Sequence, residues 1–249
     1  MTDQPIPAAT LIVVREPPAG APELLMVERS KGMAFAAGAL VFPGGRIDDS
    51  DRELARAWGL GEDGDARLAA IRETLEETAV PAGLKSPPRP EHCLALQAAL
   101  AQDRNFADVI EQAGLELDPG SLIAFARWVP RFHAVRRFDT MFFLAQAPAG
   151  DWPPHVIAGE CAGAYWLSAS EALEREQGGE ARLIFPTRRN LERLALHSSF
   201  AAMRADALAH PIEPVTPWVE EHEGEQFITI PDHLGYPVTR ERLDGLWRG

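Results

Sequence analysis

Six consecutive residues, Arg72-Glu73-Thr74-Leu75-Glu76-Glu77, constrain this chain more than any other feature, because they place three carboxylates and one guanidinium within two helical turns. A helix turns about 100° per residue, so with Glu73 at zero, Glu76 and Glu77 fall roughly 60° and 40° to either side. Leu68, Ile71, Leu75 and Thr78 gather roughly opposite, between about 140° and 220°. The pattern predicts an amphipathic helix with an apolar stripe on one side and a carboxylate patch on the other. Like charges four apart cost an isolated helix about 0.2–0.5 kcal/mol per pair. A hard divalent cation such as Mg²⁺, which takes oxygen ligands, would reverse that penalty. A solvated glutamate face is the plainer alternative for these six residues alone.

The upstream segment shifts the balance. Val41-Phe42-Pro43-Gly44-Gly45 reads as a short apolar strand running into a Pro-Gly-Gly turn. Adjacent glycines leave backbone amides and carbonyls open to a ligand. Strand, glycine loop and carboxylate helix together suggest a phosphate and metal site.

On these residues the chain resembles the Nudix hydrolases. Their signature runs Gly, five residues, Glu, seven residues, then Arg-Glu-apolar-x-Glu-Glu-x-Gly-apolar. Gly45 takes the first position, Asp51 stands where the first Glu is expected, and Arg72, Glu73, Glu76, Glu77 and Val80 match the second half. The chain departs from the pattern in four ways. The spacer is residues 52–71, about thirteen longer than usual; Asp replaces Glu at 51; Thr74 replaces an apolar residue; and Ala79 replaces the glycine that ends the helix. Ala79 fits a helix that ends without a left-handed residue, and Pro81 supplies a separate stop.

Ala126-Arg127-Trp128-Val129-Pro130, Arg136-Arg137-Phe138-Asp139 with the apolar run after it, and Pro186-Thr187 are similar to the Nudix branch that contains the mammalian peroxisomal coenzyme A diphosphatase. That branch also carries an insertion inside its Nudix box. A coenzyme A pattern of another branch is partly present: Arg29, Gly38 and Phe42-Pro43-Gly44-Gly45 keep its spacing, while Ala34 stands in place of its second arginine and Met26 and Val27 also depart.

The resemblance implies a fold, an activity and a set of residues. The fold is α/β: an α/β/α sandwich around a mixed sheet, with an inserted segment in the Nudix box and helical C-terminal additions. The activity is metal-dependent hydrolysis of a diphosphate linkage. Coenzyme A or acyl-coenzyme A is the leading substrate, ADP-ribose, NADH or another nucleoside diphosphate derivative the alternative, and a non-catalytic Nudix-fold sensor a third reading. Glu73, Glu76 and Glu77, with the Gly45 carbonyl, would hold Mg²⁺ or Mn²⁺. Arg72 is read as an ion-pair partner orienting a carboxylate of the box, and Asp48 or Asp51 as a supporting contact or a solvated turn residue. The general base is Glu160, just before Tyr165-Trp166, or Glu77; an exposed loop acid is the alternative for Glu160. Arg29 and Gly44, with Arg136 and Arg137, are expected to touch substrate, since guanidinium forks match phosphate oxygens. His133 and His155 read as solvent-facing loop histidines, and Phe138, Phe142 and Phe143 as core.

Along the chain, strands are expected at 9–14, 24–27, 40–43, 122–129, 138–145, 165–167, 215–221 and 226–230. Helices are expected at 53–58, from an Asp65 cap through the carboxylate run, at 91–113, from near Glu171 with Ser168 or Ser170 as cap, and at 188–209, the longest. No repeat or long linker divides residues 1–249, so a single domain is expected, with a core over about 8–210 and an extension over 211–249. A net charge of -13 argues against a nucleic-acid partner, since phosphate backbones attract basic surfaces. Cys93 and Cys161 lack disulfide or metal-ligand spacing and read as buried thiols. Thr10–Val14 is too short to span a bilayer, so no membrane partner is expected and cytoplasm is the default location. A small-molecule diphosphate is the expected partner, and a homodimer is compatible with the sequence.

Overall fold

The computed structural model describes residues 4–32, 36–102, 104–129, 137–159 and 161–243. Among the described residues, twelve strands and seven α-helices follow one another: β1 (Ile6–Arg15), β2 (Glu23–Arg29), β3 (Ala39–Val41), β4 (Gly44–Arg46), α1 (Asp49–Ala57), α2 (Gly64–Thr78), α3 (Pro90–Leu100), α4 (Phe106–Gln112), β5 (Ile123–Trp128), β6 (Phe138–Gln146), β7 (Cys161–Ser168), α5 (Ala169–Gln177), β8 (Arg182–Leu183), α6 (Phe185–Leu194), α7 (Phe200–Ala209), β9 (Pro214–Val215), β10 (Trp218–His222), β11 (Glu225–Thr229) and β12 (Arg240–Arg242).

Nine strands form one mixed sheet in the order β8-β3-β2-β1-β6-β5-β9, with β4 paired to β1 and β7 to β2. β1 is antiparallel to β2 and β4 but runs parallel to β6 along its whole length, from Ile6↔Phe138 to Val14↔Gln146. Side chains alternate across a strand, and here both faces are covered. Leu11, Val13, Leu25 and Phe143 point into a core with the helices α1–α4, while Ile12, Val14, Leu24, Met26, Phe142 and Leu144 join a second core with α5–α7. That double burial explains why β1 and β6 read as continuous apolar runs rather than as alternating ones. The result is the α/β/α sandwich expected of the sequence, with α2 in one outer layer.

The second core also takes in Val215, Ile230, Leu234 and Tyr236 from beyond residue 210. The buried Trp128 Nε1 donates to Tyr236 Oη at 2.9 Å, and Tyr236 in turn donates to Asn190 Oδ1 at 2.9 Å. Strands β10–β12 form a separate three-stranded antiparallel sheet.

Several boundaries differ from expectation, each for a local reason. The 91–113 stretch is two helices, because Asn105 caps a new one by accepting from Ala107 N at 2.9 Å. The 188–209 stretch is likewise two: α6 begins at Phe185, and Ser199 caps α7 through Ala202 N. The longest helix is therefore the 15-residue α2, which starts after Asp63 rather than Asp65. It ends with Ala79 in the left-handed region, φ 58°, so alanine occupies the glycine conformation after all. Ser168 caps α5 in a reciprocal pair with Glu171. Among the described residues, no helix is long and apolar enough to cross a membrane.

Candidate active site

β4 is only three residues long, yet its position is tightly set. It lies antiparallel to β1 with Ala9 opposite Gly45 and Thr10 opposite Gly44, and Leu11 N donates to Pro43 O at 3.0 Å. A Cβ on Gly44 would stand 2.5 Å from Ala9 O and 2.7 Å from Thr10 Cα, so no side chain fits there. A Cβ on Gly45 would stand 2.5 Å from Glu73 Cδ. The space that a side chain would fill at Gly45 is taken by a carboxylate of α2. The Pro-Gly-Gly turn thus seats the helix directly against the strand.

Glu77, one turn further along α2 and buried, accepts from Gly44 N at 3.0 Å through Oε2; its Oε1 lies 3.7 Å from Cys161 Sγ at the start of β7. Glu73 and Glu77 therefore meet the glycine pair from one helix. Both sides of α2 are buried, including Leu68, Ala69, Ile71, Thr74 and Leu75, so the carboxylate patch is no solvated face.

One guanidinium ties the patch together. Arg72 Nε and Nη2 donate to the two oxygens of Asp51 at 3.1 and 2.8 Å, Nη2 also donates to Arg46 O at 2.9 Å, and Nη1 donates to Glu73 Oε1 at 2.9 Å. Glu76 Oε2 and Asp48 Oδ2 lie at 3.5 Å from its terminal nitrogens. Burial disfavours the charged form of Arg72, but the bonds to Asp51 and the charges of Glu73 and Asp48 outweigh it and raise its pKa. Glu73 moves the other way from an ordinary carboxylate: burial, opposed by Arg72 and helped by Glu76, pushes it up to about 7. Arg72 thus faces more carboxylate than it alone can neutralise.

Asp51 contributes more to the site than its place in the sequence suggests. It is no solvated turn acid but a fully buried residue of α1, and its Oδ2 also accepts from Asp48 N at 2.9 Å. The Asp48-x-x-Asp51 spacing, a capping pattern at a helix start, was the available signal. The long spacer folds as α1 and the first turns of α2, returning Asp51 to Arg72.

The remaining predicted residues divide. Arg29, at the end of β2, pairs in register with Cys161, which brings it beside the strand end that contacts Glu77. Arg137 precedes β6, four residues before Met141, which shares Ala9 as a partner with Gly45; that offset is about 13 Å along the strand. Glu160, Arg136, His133 and Ala34 lie outside the described residues.

The donor set suits a hard divalent ion: carboxylate and carbonyl oxygens on a helix and an adjoining strand. Among the described residues, no three His, Cys, Asp or Glu side chains stand together in a ready metal-holding group. Two of the carboxylates are engaged elsewhere, Glu73 by Arg72 and Glu77 by Gly44 and Cys161. The packing of the Glu73 carboxylate against Gly45 and the several acids gathered around Arg72 are what a site adapted to a further positive charge would show.

No family model matches the chain. It is similar to human acyl-coenzyme A diphosphatase NUDT19, with 28% identity over 261 residues, covering 82% of this chain and 69% of that protein. Nudix hydrolase 7 of Caenorhabditis elegans shows 24% identity over 212 residues, covering 83% of this chain and 66% of that protein. The chain thus spans about two thirds of the length of these curated relatives. The crystal structure of a Nudix hydrolase from Alicyclobacillus acidocaldarius superposes with a TM-score of 0.69 at 30% identity, covering 82% of this chain and 97% of that one.

Proposed function

The chain belongs to the Nudix hydrolases, and from that premise we propose that it splits the diphosphate linkage of coenzyme A or an acyl-coenzyme A with the help of Mg²⁺ or Mn²⁺. The observation that carries the metal-dependent part is the convergence of Glu73 and Glu77 on the Gly44–Gly45 turn, with Glu73 filling the space beside Gly45.

In this reading Glu73, Glu76, Glu77 and the Gly45 carbonyl hold the ion. Bound there, Mg²⁺ or Mn²⁺ would neutralise charge on the phosphate oxygens and acidify a water. Arg72 keeps Glu73 and Glu76 facing the turn, and Asp51 fixes Arg72 from behind. The Gly44 amide and Cys161 hold the Glu77 carboxylate between them. A carboxylate must accept the proton of the attacking water, and Glu160 and Glu77 are the candidates. Arg29, whose strand position pairs with Cys161, would meet a substrate phosphate.

Coenzyme A is favoured over other diphosphates on two grounds. The human relative is named for acyl-coenzyme A, and Arg29, Gly38 and the Phe42–Gly45 run keep a coenzyme A spacing. The test is turnover of coenzyme A, an acyl-coenzyme A, ADP-ribose and NADH side by side in Mg²⁺ or Mn²⁺, with products identified by mass. Release of 3′,5′-ADP together with phosphopantetheine or its acyl form is expected. Preferential turnover of ADP-ribose or NADH would replace the coenzyme A assignment.

A further inference from the structure

We propose that Gln97 and His155 are positioning residues for this hydrolysis: they clamp the last turn of α2 to the segment entering β7, and so fix where Glu76 and Glu77 stand. The proposal rests on the metal-dependent reading above. Gln97, on α3, is completely buried. Its Nε2 donates to Glu76 O at 3.0 Å and to His155 O at 2.8 Å, and its Oε1 lies 2.7 Å from His155 Nδ1. Two carbonyls can only accept, so the amide nitrogen must face them and the amide oxygen must face the ring. His155 Nδ1 therefore carries the proton. The same residue donates its backbone N–H to Thr78 O at 2.8 Å.

These bonds fall where the helix cannot supply its own. The last four carbonyls of an α-helix have no partner within it. Thr78 is the final residue of α2, and Ala79 turns the chain away in the left-handed conformation. Gln97 and His155 cap Glu76 O and Thr78 O from outside, on either side of Glu77 in sequence. The clamp also reaches the other end of the Glu77 carboxylate. Six residues after His155 comes Cys161, whose Sγ meets Glu77 Oε1 while Gly44 N meets Oε2. One buried glutamine thus sets the peptide that carries the carboxylates and the strand end that receives one of them. A helix cap alone would be satisfied by water at an exposed end. A fully buried amide spending three bonds on two separate segments fixes their relative position.

The test uses the full chain as Gln97→Met, His155→Ala and His155→Asn, with Mn²⁺ affinity measured by calorimetry alongside kcat and KM. Asparagine places an amide nitrogen where the imidazole Nδ1 stands, so it keeps the donor. Displacing catalytic groups by about 1 Å costs up to about a hundredfold, so Gln97→Met should weaken Mn²⁺ binding and lower kcat by about tenfold each, with KM for the diphosphate within about twofold. His155→Ala, at an exposed side chain, should fold normally and lose about threefold in both, and His155→Asn should recover them. Native Mn²⁺ affinity and kcat in folded Gln97→Met would overturn the proposal, as would His155→Asn behaving no better than His155→Ala. If Gln97→Met does not fold, the histidine pair decides. A wild-type chain that binds Mn²⁺ but hydrolyses no diphosphate would sink the functional reading instead, and the Mn²⁺ affinities would still judge the clamp.

Discussion

Arg72 grips both oxygens of Asp51, at 3.1 and 2.8 Å, across the whole lengthened spacer of the box. The two side chains are buried, Asp51 completely. An insertion that carried Asp51 away would leave Arg72 to collapse onto the glutamates it now orients. The insertion is tolerated because α1 returns the acid to the same guanidinium.

That pairing makes Asp51 a stability residue as well as an organising one. Removing one partner of a buried ion pair typically costs about 3–5 kcal/mol, because the other charge stays buried. Asp51→Asn keeps the shape and part of the hydrogen bonding, so a loss of about 2–3 kcal/mol is expected in urea unfolding. Hydrolysis should also drop, since Arg72 would be drawn further onto Glu73. An unchanged unfolding midpoint would show that Arg72 is held by its other partners.

Gly45→Ala is the sharpest probe of the seat for Glu73. The added methyl would lie 2.5 Å from Glu73 Cδ, so the carboxylate must move while the strand pairing of β4 with β1 remains. Activity should fall about a hundredfold with the melting temperature shifted by only a few degrees. Wild-type turnover in this variant would mean that Glu73 is not needed where it stands.

Glu76→Gln and Glu77→Gln should each abolish hydrolysis and leave a folded protein, judged by circular dichroism. Each substitution keeps side-chain volume but removes an anionic oxygen donor, and neutral amides are poorer ligands for a hard cation. Full activity in both would remove the carboxylate face from the chemistry.

The pH dependence follows from Glu73. In the folded, metal-free protein its pKa is pushed up to about 7 from an ordinary value of 4.5. Between those values the native state holds a proton that the unfolded state releases, so this group makes stability fall as pH rises through that window. The metal-free protein should therefore melt at a lower temperature at pH 8 than at pH 5.5. A divalent ion competes with that proton, so Mg²⁺ should raise the melting temperature more at pH 8 than at pH 5.5. Equal Mg²⁺ shifts at both pH values would detach the ion from Glu73.

The sequence carried the parts of the site that follow from short-range spacing. The Gly44–Gly45 turn, the helix around Glu73–Glu77 and the strands at 122–129 and 138–145 rest on local periodicity and turn chemistry, and all of these elements are present. Legibility stopped at contacts between distant segments. Nothing near position 97 marks Gln97 as a partner of Glu76 and His155, because the bond depends on how α3 packs on α2. Cys161 read as an ordinary buried thiol, and only the register of β7 against β2 brings it to Glu77. The ends of α3 at Leu100 and of α6 at Leu194 are not legible in the sequence, because apolar residues recur beyond them, while Asn105 and Ser199 start new helices by capping. Ala79 shows the limit of residue preference: the chain takes the left-handed turn without glycine, at a conformational cost.

The central claim is that Glu73, Glu76 and Glu77 with the Gly45 carbonyl hold the divalent ion that the hydrolysis needs. A Mn²⁺ soak of crystals, read as an anomalous difference map at the manganese edge, tests it most directly. A peak is expected between the α2 carboxylates and the Gly45 carbonyl, lost in Glu76→Gln crystals. Under conditions where the same protein turns over its substrate, a map with no peak there, or with manganese bound only elsewhere, would contradict it.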